Sequence, residues 1–137
     1  MQVPAESTSS IEQNRCSILL VEDDMLVARS LRFALTGLGV QVVCVPDAKV
    51  AQAQIATRDF AAAIVDVGLP DMRGDELIRE WRSNRRTLPV LLCTGAASNS
   101  YADLFKSDSS VAVVEKPFGE RLLLAKLNQL GLSIGPA

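Results

Sequence analysis

The chain has 137 residues, 48% of them hydrophobic, a formal charge of -2 and no histidine. That length and apolar share suit one globular domain with its own core, and a near-neutral balance without a basic stripe speaks against nucleic acid or an anionic membrane as partner. No run reaches the roughly 18 apolar residues of a membrane span, and the polar start MQVPAESTSSIEQNR has no signal-peptide core, so a cytoplasmic protein is expected.

Residues 1–15 read as a flexible, Ser/Thr/Gln/Glu-rich tail, and order should begin near Cys16. The first strand is CSILLV (16–21), and Val27, Leu31, Ala34, Leu35 and Leu38 then recur at helical spacing, with Gly37 and Gly39 as stop signals. VQVVCV (40–45) is the second strand, followed by an alanine-rich helix over 47–58. AAAIVD (61–66) is the third, and Leu77, Ile78 and Trp81 mark the helix after it. PVLLCT (89–94) precedes a weaker helical stretch at 99–107, and VAVV (111–114) precedes a helix marked by Leu123, Leu127 and Leu130. Residues 131–137 read as a C-terminal tail. The strand runs are apolar almost continuously, as expected where helices cover both faces of a parallel sheet. The fold class is therefore α/β, a (βα)5 open, doubly wound, five-stranded parallel sheet, with residues 16–130 as the domain. Cys16, Cys44 and Cys93 lie inside these apolar runs without CxxC spacing and read as buried free thiols of a reducing compartment.

Ligands of such sheets gather outside the carboxyl ends of the strands. There the first strand delivers Glu22, Asp23 and Asp24, the third Asp66, the fourth Thr94, and Lys116 follows the fifth. Each has an ordinary explanation alone. Asp23 or Asp24 would cap the helix that starts at Met25 or Leu26, Asp66 would be a solvated strand end, Lys116 a rim lysine, and Thr94 before Gly95 a turn residue. Together they crowd carboxylates that one lysine cannot neutralise. A divalent cation can, and oxygen-only surroundings suit Mg2+.

The first loop, VEDDMLV, lacks the glycine-rich turn of a dinucleotide site or a P-loop, and it lacks the small residues a flavin phosphate would need. Without histidine there is no imidazole base, which leaves Asp66 as the nucleophile.

The runs ILLVEDD, IVDVGLPDMRG, LLCTGA and VEKPF, in this order on the predicted strand ends, resemble a response regulator receiver domain of two-component signalling. The resemblance implies a receiver (flavodoxin-like) fold and a phosphorelay function in which Asp66 accepts a phosphoryl group from a partner phosphohistidine. It implies Mg2+ held directly by Asp24 and Asp66, by Asp23 through water, and by the backbone carbonyl of Gly68. Thr94 and Lys116 would contact the phosphoryl oxygens, and the Lys116–Pro117 bond would be cis. The partner would be a histidine kinase or histidine phosphotransfer protein, and the chain an acceptor, not an enzyme with turnover beyond self-dephosphorylation.

Two positions depart from the family pattern. Val113 stands where an aromatic switch residue is usual, three before the lysine, and Arg73 replaces the small or acidic residue often found before Gly74. With a short β-branched side chain at 113, activation is expected to alter 67–74 and 94–100 more than the surface of 101–127. Met25, Leu26 and Phe33 lie off the main apolar stripe of their helix and form a candidate docking flank, the ordinary alternative being a wider buried face. With only GLSIGPA after Leu130, a stand-alone regulator or shuttle and a receiver excised from a hybrid kinase both fit. A receiver-like scaffold that is never phosphorylated is the alternative function. A hydrolase of the haloacid dehalogenase type fits less well, because its second acid would fall at Gly68.

Overall fold

A computed structural model describes residues 17–95 and 98–134. Strands and helices alternate along the chain: β1 (Ser17–Val21), α1 (Met25–Gly37), β2 (Gln41–Val45), α2 (Ala48–Thr57), β3 (Ala62–Asp66), α3 (Gly74–Ser83), β4 (Val90–Thr94), α4 (Ser98–Leu104), β5 (Val111–Glu115) and α5 (Glu120–Gln129). All strand pairs are parallel, in the order β2-β1-β3-β4-β5. This is the expected doubly wound sheet. The strands begin and end within one residue of the apolar runs, because both signals report the same two-sided burial.

The pleat sorts the core into two layers. Ile18, Leu20, Ile64 and Leu91 face one way and pack with Leu35 of α1 and Leu123 and Leu127 of α5. Leu19, Val21, Val65 and Leu92 face the other way, onto Ala51 and Ile55 of α2 and Leu77, Ile78 and Trp81 of α3. β1, β3 and β4 are buried along their whole length. Fully burying a leucine or isoleucine is worth roughly 1.5–3 kcal/mol, so these three strands and their two helix layers hold most of the stability. By that measure α1 is lightly held: its one buried residue is Leu35.

Three expectations change. Cys44 is exposed, not buried, because β2 is the edge strand and α1 does not cover it completely; Cys93, inside β4, is buried as expected. Burial raises the pKa of both thiols, so neither is primed as a thiolate nucleophile. Cys16 and the tail over 1–15 lie outside the described residues. Second, the helix expected over 99–107 ends at Leu104, although the chain still turns inward to bury Phe105. Third, the segment after Gly131 is not all tail. Leu132 and Ile134 pack against the α1/α5 layer, and the Asn128 side chain holds the Ile134 backbone, accepting from its amide at 3.0 Å and donating to its carbonyl at 3.2 Å. Among the described residues no helix is long and apolar enough to cross a membrane.

Candidate functional site

The site follows from strand register. Parallel pairing sets Val21 beside Val65, so the next residue of each chain brings Glu22 and Asp66 together at the carboxyl edge. On the far side, β4 pairs Thr94 with Glu115, and the Lys116 amide donates to the Thr94 carbonyl at 2.7 Å. Lys116 therefore enters the same edge from β5. Its ammonium lies 2.7 Å from Asp66 Oδ1 and 3.3 Å from Glu22 Oε1. Asp66, Glu22 and Thr94 are 8%, 6% and 3% exposed, which keeps their interactions away from bulk water. The Lys116–Pro117 bond is cis, as the family resemblance implied.

Burial works against the charge on Lys116, but the hydrogen bond and ion pair with Asp66 and the charge of Glu22 outweigh it and hold the pKa above the usual lysine range. Glu22 shows the opposite balance. Desolvation dominates and raises its pKa, although Lys116 and the Asp24 amide, which donates to Oε2 at 3.1 Å, both favour its charged form.

Glu22, Asp23 and Asp66 each present an oxygen such that all three lie within 4.8 Å of one another, an oxygen-only donor set that suits a hard divalent cation. Asp24 does not belong to this group. Its Oδ1 accepts from the Leu26 and Val27 amides at 3.0 and 3.3 Å and caps α1. The structure thus brings Glu22 and Asp23 to Asp66, and it places Asp24, for which a direct ligand role is expected, at the helix cap instead. Helix nucleation is the physical reason: with α1 starting at Met25, the residue just before it satisfies orphan amides and turns its carboxylate toward the helix.

The β3–α3 loop is tied down from several sides. The Asp71 carboxylate accepts from the Ala48 and Lys49 amides, both at 2.9 Å, at the start of α2, and the Ala48 bond is the main cause of its lowered pKa. The Gly74 amide donates to the Val67 carbonyl at 2.9 Å, and the Arg73 amide to Glu76 Oε1 at 3.2 Å. A Cβ on Gly68 would stand 3.5 Å from Asp66 Oδ2, an ordinary contact, so position 68 leaves that oxygen accessible.

Val113 is half-buried and packs against the α2/α3 layer, as does Tyr101 of α4. A side-chain link that the sequence did not suggest joins Tyr101 to the loop. The Arg73 guanidinium donates to the Tyr101 hydroxyl, lies 5.7 Å from that ring's centroid, and pairs with the buried Asp75 carboxylate at 3.1 Å. Loop 67–74 and α4 are thus joined across 28 residues of sequence. Met25, Leu26 and Phe33 are 75%, 77% and 83% exposed, so that flank of α1 is not part of a wider buried face.

The sequence matches the family model for the response regulator receiver domain over residues 18–128, and the chain belongs to that family. It is 38% identical over 115 residues to the transcriptional regulatory protein PhoP of Escherichia coli and 35% identical over 115 residues to the transcriptional regulatory protein QseB of Haemophilus influenzae. Each alignment covers 82% of this chain and 51% of the relative, so the chain spans about half the length of the curated relatives it matches. Among solved structures, a sensor protein from Polaromonas sp. superposes with a TM-score of 0.74 at 36% identity, over 85% of this chain and 95% of that one. A CheY-like receiver domain protein from Methanospirillum hungatei does so with a TM-score of 0.74 at 30% identity, over 82% and 90%.

Proposed function

We propose that the chain is the phosphoacceptor of a two-component phosphorelay, with Asp66 as the acceptor and Mg2+ as the cofactor. The observation that carries this reading is the gathering of three carboxylates at a single strand edge, two of them, Glu22 and Asp66, paired with Lys116. In the transfer, an Asp66 carboxylate oxygen attacks phosphorus, the phosphorus–nitrogen bond of the partner's phosphohistidine breaks, and the imidazole leaves with the electron pair and takes up a proton. The product is an acyl phosphate on Asp66. Asp23, Asp66 and the Gly68 carbonyl would hold Mg2+, with Glu22 beside them, and the ion supplies charge neutralisation as the phosphoryl group arrives. Lys116, now on Asp66 Oδ1, would move to a phosphoryl oxygen, and Thr94 would donate to another.

The chain would act as a carrier in the cytoplasm, receiving phosphate from a histidine kinase or a histidine phosphotransfer protein. A free-standing shuttle and a module of a larger sensor both accommodate that chemistry. Incubation with Mg2+ and phosphoramidate followed by intact mass measurement should show one added phosphoryl group in the parent, none in Asp66→Asn, and none when the metal is chelated. A parent that gains no mass would favour the unphosphorylated scaffold.

The partner is proposed to dock on Met25, Leu26 and Phe33, since an apolar patch this exposed beside the site is suited to receive an apolar helix surface. Phe33→Ala should slow transfer from a phosphohistidine donor protein by about ten-fold, an ordinary loss for an aromatic anchor, while leaving the unfolding temperature unchanged. An unaltered transfer rate would remove Phe33 from the docking surface.

A further inference from the structure

A second feature lies at the opposite, amino edge of the sheet. The loops after α2 and α3 enclose a cleft of about 280 Å3, floored by Ile55, Phe60 and Leu88 and rimmed by Arg58, Arg85 and Arg86. Asp59 is the one acid in its lining. None of the three arginines has an ion pair with a described residue. The Arg58 guanidinium instead lies 5.1 Å from the centroid of the Phe60 ring. Three arginines beside a single acid, on a chain of net charge -2, make this a local feature of the surface, not a consequence of overall charge.

The backbone indicates that the arrangement is built. Arg85 has φ 62° and is the one non-glycine residue with positive φ among those described. It follows the end of α3, where the Arg86 amide donates to the Trp81 carbonyl at 2.9 Å and the Arg85 amide to the Arg82 carbonyl at 3.0 Å. In this type of helix ending the left-handed position is ordinarily glycine, which adopts it without steric cost. Arg82 then fixes the turn: its Nη1 donates to the Arg86 carbonyl at 2.8 Å while its Nε is anchored on Asp108 Oδ2 at 2.7 Å. Attraction to the negative end of the α3 dipole would account for an arginine at 82. The same attraction favours Arg85 and Arg86 beyond that end, and Arg58 as the C-cap of α2, but it does not account for a side chain in place of glycine at the left-handed position 85, nor for two helix ends setting their arginines around one cleft.

We infer that this cleft binds an acidic, carboxylate-bearing segment of a partner protein, with an apolar side chain of that segment on the Ile55, Phe60 and Leu88 floor and its carboxylates on Arg58, Arg85 and Arg86. Guanidinium forks match carboxylates in shape as well as charge. A cleft of this size accepts one or two side chains and is smaller than the usual site of a whole cofactor. The binding is independent of phosphoryl chemistry at Asp66.

The test uses the full chain labelled with 15N and titrated with three probes: a blocked peptide Asp-Glu-Leu-Asp-Glu, its Asn-Gln-Leu-Asn-Gln counterpart, and inorganic phosphate. The acidic peptide should shift the backbone amides of 58–60 and 85–88 and the arginine Nε signals saturably. Arg85→Gly and Arg58→Gln should each weaken it about five-fold, as for a partly exposed ion pair. Arg85→Gly also relieves the left-handed backbone, so loss of binding cannot be ascribed to loss of fold. Asp66→Asn should bind as the parent does. Unchanged affinity in Arg85→Gly, equal binding of the neutral peptide, or phosphate alone binding as tightly at the same signals would each overturn the proposal.

Discussion

Alanine at position 74 should destabilise the protein by about 3 kcal/mol, the upper range for forced overpacking, and lower the unfolding temperature by about 10 °C. A Cβ there would stand 2.3 Å from the Asp66 carbonyl oxygen and 2.9 Å from both the Asp66 carbonyl carbon and Val65 Cγ1. Two of those atoms are backbone of β3, a strand paired on both sides, and cannot withdraw. The first turn of α3 would have to lift instead, which strains the 2.9 Å bond from the Gly74 amide to the Val67 carbonyl and with it the whole phosphoacceptor loop. Thermal unfolding followed by circular dichroism reads the effect directly. Gly68→Ala is the matched control, because its added carbon meets only Asp66 Oδ2, at 3.5 Å, and the change should stay within about 1 kcal/mol. A fall of less than 3 °C for Gly74→Ala, roughly 1 kcal/mol at this chain length, would mean that the loop yields more easily than its contacts suggest.

Asp23→Asn should weaken Mg2+ binding at least about ten-fold, and Asp24→Asn should leave it within about two-fold, since only Asp23 contributes to the three-carboxylate group. Asparagine caps helices as well as aspartate does, so Asp24→Asn should also unfold at the parent's temperature, whereas Asp24→Ala should lose about 1 kcal/mol through the start of α1. Calorimetric titration with Mg2+ alongside thermal unfolding separates the two roles. Loss of metal affinity in Asp24→Asn with full affinity in Asp23→Asn would return Asp24 to the ligand set.

These three adjacent acids mark where reading from sequence stops. Apolar runs fixed the strands because continuous burial is a property of composition, and the strand order then brought Asp66, Thr94 and Lys116 to one edge without further information. Which of Glu22, Asp23 and Asp24 turns inward depends on where β1 ends and α1 begins, and a shift of one residue exchanges ligand for cap. Cys44 departs from expectation for a related reason: an apolar run does not say whether its strand is central or at the edge. The Arg73 to Tyr101 link had no local signal at all. Its partners come from different β-α units, and only the packed sheet makes them neighbours.

β3 is a short strand with unlike ends. Phe60, just before it, floors the arginine-rimmed cleft, and Asp66, its last residue, is the proposed acceptor. Six residues of extended chain separate them by about 20 Å. Two macromolecules gripping opposite ends of so short a rod need not collide. On these two proposals the domain would be tethered by one partner while it is charged by another, and the local concentration created by the tether, more than the intrinsic affinity of the docking flank, would set how often the acceptor is loaded.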